Sequence, residues 1–131
     1  MSAEERRSDE IEQTREKVYY RDIGRCRACE KEVPYPGEMA HIVAKSRANA
    51  NRYGCMFLDA VAERDPSLTL LSVKGRSAEK LGYWILNQPE NLALTHSGRC
   101  NDAMLINGLR ADRHIAAIIK KRLDEAGNRG Q

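Results

Sequence analysis

Two short-spaced pairs of metal-ligand residues constrain this chain most: Cys26-Arg-Ala-Cys29 and, far downstream, His96-Ser-Gly-Arg-Cys100. Zinc prefers four tetrahedral Cys and His ligands, and a chain supplies them most readily as two local pairs. Together the pairs predict a Cys3His zinc site that closes a long loop. Such a site contributes directly to folding, because the unfolded chain holds no preformed site. A redox role for the CxxC fits less well, since that motif usually precedes a helix and here Pro34-Tyr-Pro36-Gly37 follows. Two independent buried thiols are a further alternative. Cys55 stands outside both pairs and reads as a small buried hydrophobe. His114, on a C-terminal helical stretch, reads as a packing or surface residue.

Composition makes a metal staple useful. In 131 residues only 5% are aromatic, and Phe57 and Trp84 are single representatives of their kinds. A chain of this length predicts one domain with one modest core. Net charge is +3, too mild to imply a partner by itself. Its distribution says more. Between Lys17 and Arg52, Lys17, Arg21, Arg25, Arg27, Lys31, Lys45, Arg47 and Arg52 face only Asp22, Glu30, Glu32 and Glu38. A phosphate-binding surface has this character, as does an ordinary solvated face. No apolar run reaches the ~20 residues that span a bilayer, and Met1 to Arg6 lacks a signal peptide's apolar stretch. The expectation is a cytoplasmic protein without a membrane partner, in a compartment where disulfides are disfavoured.

The pattern along the chain predicts mixed structure. Residues 2–20 read as a solvated helix packing by its end, with Ser2-x-x-Glu5 as a capping box. Glu38–Val43 and Asn91–Thr95 read as short strands. Residues 44–54 read as a loop, 55–63 as a helix, and 68–73 as an apolar extended run. Residues 77–87 form a helix with Leu81, Trp84 and Ile85 on one face, and Pro89 follows its end. Residues 100–107 predict another helix, ending at Asn107-Gly108. Asp112 would cap a last helix carrying Ile115, Ile118, Ile119 and Leu123 on one side. The tail from Gly127 reads as frayed.

The ordered set Cys26-x2-Cys29, Glu38-Met-Ala-His41-Ile42, Pro89-Glu-Asn91-Leu92 and His96-x3-Cys100-Asn101 resembles the HNH, or ββα-metal, endonuclease family in its His-Asn-Asn form. The resemblance covers residues 24–107. It implies an α+β fold with a small ββα-metal core and a zinc-bound knuckle, flanked by helices. By residues, this is one domain over 1–131: an N-terminal helix (1–23), a core (24–52 and 89–107), a helical insertion between the motif's strands (53–88) and a C-terminal helix (109–126). The implied activity is metal-dependent hydrolysis of DNA phosphodiester bonds. His41 would activate water, Asn91 would orient the hairpin and the base, and Asn101 would offer its carbonyl oxygen to Mg2+ or another divalent cation. Lys45, Arg47, Arg52 and Arg99 would contact phosphates.

Two departures stand out. The family often has Asp or His just before the base, as a metal ligand, and this chain has Ala40. Glu38 shares Ala40's strand face and could supply the carboxylate. The stretch between His41 and Asn91 is also much longer than in a compact HNH hairpin, so residues 53–88 would be a lid, a dimer contact or a DNA-reading element. The alternatives are a non-catalytic zinc module that binds nucleic acid or protein, and a nuclease acting on RNA or serving as a toxin. A monomer would nick DNA, whereas cutting both strands would need a homodimer or a second visit.

Overall fold

The computed structural model describes the backbone of residues 3–64 and 77–129, and the side chains of 12–64 and 77–126. Among the described residues the fold is α+β. In chain order come α1 (Ala3–Arg21), β1 (Glu38–His41), α2 (Arg47–Arg64), α3 (Ala78–Leu86), a 3-10 turn (Pro89–Asn91), β2 (Leu92–Thr95), α4 (Arg99–Ala103) and α5 (Gly108–Arg129). The expected capping box at Ser2 and the 68–73 run involve residues outside those described. No helix is long and apolar enough to cross a membrane among the described residues.

The chain divides into two compact units rather than one. The first comprises Met1–Ile42 and Leu92–Leu105, the second Val43–Asn91 and Ile106–Gln131. Each has an apolar cluster of its own. In the second unit the described residues after β1 join the C-terminal helix in an apolar cluster.

In the first unit β1 and β2 pair antiparallel, with Glu38 opposite Thr95, Met39 opposite Leu94, Ala40 opposite Ala93 and His41 opposite Leu92. Side chains alternate across a strand, so Met39, His41, Leu92 and Leu94 share one face. Met39, Leu92 and Leu94 join Val18, Cys26, Val33 and Cys100 in a small cluster. The outer edge of β2 is covered. Asp22 accepts the Leu94 N–H at 2.9 Å, the Arg27 N–H donates to the Leu94 carbonyl at 2.9 Å, and the Arg21 guanidinium donates to the Leu92 carbonyl at 2.5 Å. A short sheet is thereby closed against strand addition from outside. The end of α1 packs through buried Val18 and through Tyr19, whose hydroxyl donates to the Val33 carbonyl at 2.9 Å.

The second unit is helical. α2 begins at Arg47, where a loop is expected to run on to residue 54. Ser46 caps it: its Oγ accepts the Asn49 N–H at 3.1 Å and its carbonyl accepts the Ala50 N–H at 2.8 Å. Ala50, Tyr53, Gly54, Phe57 and Val61 then line one buried face at helical spacing. The polar residues between them face outward, which is why the stretch looks loop-like in composition. α3 is capped by Ser77, whose side chain accepts the Lys80 N–H. It buries Leu81, Gly82, Ile85 and Leu86, while Trp84 lies at the rim, 43% exposed and edge-on to Phe57.

α4 is shorter than expected, ending at Ala103, and Gly108 opens α5 instead of closing α4. Asp112 therefore sits inside α5 and caps nothing. It accepts two hydrogen bonds from Arg52, at 3.0 and 2.8 Å, and one from Tyr53 at 2.9 Å. These bonds and the Arg64–Asp124 ion pair at 2.6 Å link α2 and α5 at both ends and make them run parallel. Ile115, Ile118 and Ile119 are buried and Leu123 packs beside them, as the sequence predicts. Cys55, expected to be buried, is exposed on α2.

Glu90 supports the same unit by charge. Its carboxylate pairs with Arg122 at 2.5 Å and Lys121 at 3.1 Å. Partial burial opposes ionisation, but Arg122, the backbone amide and Lys121 outweigh it and hold Glu90 at about 2, against an ordinary 4.5. A folded value below the unfolded one gives stability that is complete above the unfolded value and lost as pH falls through the folded one. The carboxylate still meets water, so Glu90→Gln should cost about 1 kcal/mol at pH 7. The difference from the parent in urea unfolding should shrink between pH 4.5 and 2; a difference constant over that range would contradict the pairing.

Candidate metal centre and active site

The Cys26–Cys29 segment is a tight hairpin. Its base is set by the Val33 N–H donating to the Gly24 carbonyl, and its tip by the Cys26 N–H donating to the Lys31 carbonyl and the Glu30 N–H to the Cys26 carbonyl. Glu30 takes a left-handed backbone (φ 67°) to turn the chain just after Cys29. The Arg27 amide hooks this knuckle onto β2, two residues before His96.

That pairing brings the four ligand residues together. The donor atoms of Cys26, Cys29, His96 and Cys100 all lie within 4.8 Å of one another, so these residues could hold a metal ion. Cys29 Sγ and His96 Nδ1 stand 3.4 Å apart. Tetrahedral bonds of about 2.3 Å to sulfur and about 2.0 Å to nitrogen would put such atoms about 3.5 Å apart. The histidine is also oriented for ligation. Its Nε2 lies 3.0 Å from the Glu32 carbonyl, which can only accept, so Nε2 carries the hydrogen and Nδ1 turns its lone pair to the sulfurs.

Cys26 is buried among apolar residues. Burial disfavours its thiolate, but the backbone amides of Cys29, His96 and Ala28 win, lowering the thiol to about 6. Cys100 behaves oppositely. Its contact with the Cys26 sulfur, then its burial and the Cys29 sulfur, push it up to about 11. Three crowded sulfurs cannot all ionise without a cation among them. The donor set, its spacing and the aimed imidazole suit a metal ion.

The other expected site residues are placed as follows. His41 ends β1, half-buried, and Asn101 lies in α4 directly after Cys100, also half-buried. α4 packs against β1, so the elements bearing these two residues are in contact. Arg99 is exposed at the start of α4. Glu38 is exposed on the Thr95 and Ala40 face of the strand, and Ala40 is buried opposite buried Ala93.

Asn91 belongs to the second unit and is fully buried. Its Oδ1 accepts the Val43 N–H at 2.9 Å, and its Nδ2 donates to the Val43 and Leu86 carbonyls at 3.1 and 2.8 Å. Both amide hydrogens are thereby engaged. Asn91 ties together the two chain positions, 43 and 91, that follow β1 and precede β2 in sequence.

Lys45, Arg47 and Arg52 also belong to the second unit. Lys45 lies 5.9 Å from the centre of the Tyr83 ring, Arg47 pairs loosely with Glu79 at 3.6 Å, and Arg52 is held by Asp112. Arg52's fork is therefore occupied within the protein. Asp22 and Glu32 are residues the motif reading does not single out, yet one anchors β2 and the other orients His96. Asp22 acts by its carboxylate on a backbone N–H and Glu32 by its own carbonyl, and contacts that involve the backbone leave no spacing signal in a sequence.

Comparison with known proteins finds no matching family model, no matching curated protein and no matching solved structure.

Proposed function

We propose that this chain is a metal-dependent endonuclease of the HNH, or ββα-metal, type that hydrolyses DNA phosphodiester bonds, with structural zinc at the Cys3His cluster. The observation that carries the reading is the contact between β1, which ends in His41, and α4, in which Asn101 follows a metal-ligand cysteine. Strand, opposing strand and packed helix are the parts a ββα-metal core requires, and they occur in that order. Hydrolysis needs a group to take a proton from water and a means of stabilising the charge on the phosphorane-like transition state.

His41 is the proton acceptor. A neutral imidazole titrates near ~6.5, which suits the task at physiological pH. Asn101 offers a carboxamide oxygen to a hard divalent cation such as Mg2+, and Glu38, on the strand face opposite to His41, would offer its carboxylate through water. That cation, when bound, would neutralise charge on the scissile phosphate and the leaving 3′ oxygen. Asn91 is a positioning residue, since its amide is engaged by backbone. Arg99, and Lys45 and Arg47 on the second unit, are available to phosphates.

The test is cleavage of supercoiled plasmid with and without Mg2+. The parent protein should nick it. His41→Ala should lower the rate by about 100-fold or more while circular dichroism and zinc content stay unchanged. Equal cleavage by parent and His41→Ala would remove His41 from the mechanism. A second reading, a non-catalytic zinc module binding nucleic acid, is favoured by Ala40, a buried small residue where the family often has a metal-ligating side chain. DNA binding without Mg2+-dependent cleavage by the parent protein would select it.

A further inference from the structure

α5 treats its cations in two ways. In its C-terminal half, among the described residues, Lys120 pairs with Asp124, Lys121 with Glu90, and Arg122 with Glu90 and Glu125. In its N-terminal half Arg110 and Arg113 are exposed and make no ion pair among the described residues. The only carboxylate between Gly108 and Leu123 is Asp112, and it is neutralised by Arg52 and hydrogen-bonded by Tyr53. The Arg52 guanidinium beside Asp112, helped by the Tyr53 hydroxyl, holds that carboxyl below its ordinary range, so the charge pair persists across physiological pH.

The consequence is two neighbouring exposed guanidiniums with no carboxylate paired to them among the described residues. Arg110 and Arg113 are three residues apart and so neighbours on the helix, with Cβ atoms about 5–6 Å apart. On the same exposed face Ala116 and Ala117 follow, leaving the ground beside the two guanidiniums low. Arginine's planar fork matches a phosphate in bidentate fashion and is weakly hydrated, so little is lost when it leaves water.

We propose that the N-terminal half of α5 is a phosphate-contact surface for duplex DNA, with Arg110 and Arg113 as its contacts. This rests on the reading of the protein as a DNA enzyme and assigns a role in substrate binding to a helix outside the nuclease motif. Neutralising phosphates releases counterions, so each contact adds about 0.9 to the slope of log K against log salt.

The experiment measures fluorescence anisotropy of a labelled blunt duplex across a salt series, with zinc-loaded protein and no added Mg2+. Arg110→Gln/Arg113→Gln should reduce the slope by about 1.8 and weaken binding about tenfold at 0.1 M salt. Lys120→Gln/Lys121→Gln, which removes the same charge from paired positions, should leave the slope unchanged. All four side chains are exposed, and thermal unfolding of both variants checks that folding is intact. An unchanged slope in the arginine variant, or equal losses in both variants, would overturn the proposal while leaving DNA binding standing. Competition by polyglutamate as effective as by duplex DNA would overturn it in favour of an acidic protein surface. A parent protein that binds no duplex at all would overturn both this proposal and the nuclease reading.

Discussion

Removal of metal from Cys26, Cys29, His96 and Cys100 is expected to unfold the first unit. Among the described residues its apolar cluster holds Val18, Cys26, Val33, Leu92 and Leu94 as buried members. Its sheet has two strands of four residues, a size that is marginal in water without further support. The knuckle reaches β2 through few bonds, and the four ligands join residues 26–29 to residues 96–100 across the hairpin. Structural zinc contributes on the order of 10 kcal/mol to such small folds. That exceeds the net stability of many whole domains, so a cluster this small should not stand without it.

A strong chelator should therefore abolish any exchange protection of the buried Ala40 and Ala93 amides and lower the helix signal from α1. Cys26→Ser should do the same and drop the metal content from one ion per chain to none. Cys55→Ser, at an exposed thiol outside the cluster, should do neither. Trp84 lies in the second unit and reports by fluorescence on how far the loss spreads. A purified protein without metal whose urea midpoint does not move on chelation would refute the expectation.

The second large effect is expected at two glycines. α2 and α3 cross in backbone contact. A methyl group on Gly54 would fall on the Ala78 carbonyl, and one on Gly82 would fall on the Ala50 carbonyl. The arrangement is reciprocal: Ala50 and Gly54 are one turn apart on α2, Ala78 and Gly82 one turn apart on α3. In an exposed helix, Gly→Ala gains about 1 kcal/mol from propensity. Here the added atom meets backbone, which cannot rotate away as a side chain would. Overpacking usually costs 1–3 kcal/mol (a general range). With both helices obliged to separate, Gly54→Ala and Gly82→Ala should each cost about 3 kcal/mol or more, and the double variant should not fold. Urea denaturation decides between the signs. A neutral or stabilising result at either position would mean that the helices do not approach so closely.

Much of the candidate site is legible in residue spacing. CxxC and H-x3-C name their own geometry, because two ligands that close in sequence can reach one ion only from a turn or a helix start. The strands around His41 and Asn91 are legible too, from apolar runs between turn residues. Helix starts are harder to read. Ser46 and the buried row from Ala50 to Val61 are visible once the helix is known, but the polar residues between them dilute the pattern. Asp112 has a capping residue's chemistry, yet it lies one turn inside α5 because Arg52 and Tyr53 on α2 use its carboxylate.

The amino-acid order alone determined which side chains could form the metal cluster and which short runs become strands and helices, since those depend on neighbours a few residues away. Tertiary structure alone decided that α2 and α3 build a second apolar cluster with α5, that Asn91's amide is taken by Val43 and Leu86, and that among the described residues Arg52 is paired while Arg110 and Arg113 are not. These outcomes depend on which distant surfaces bury one another. A polar group's partners are set by what remains unsatisfied once that burial is complete.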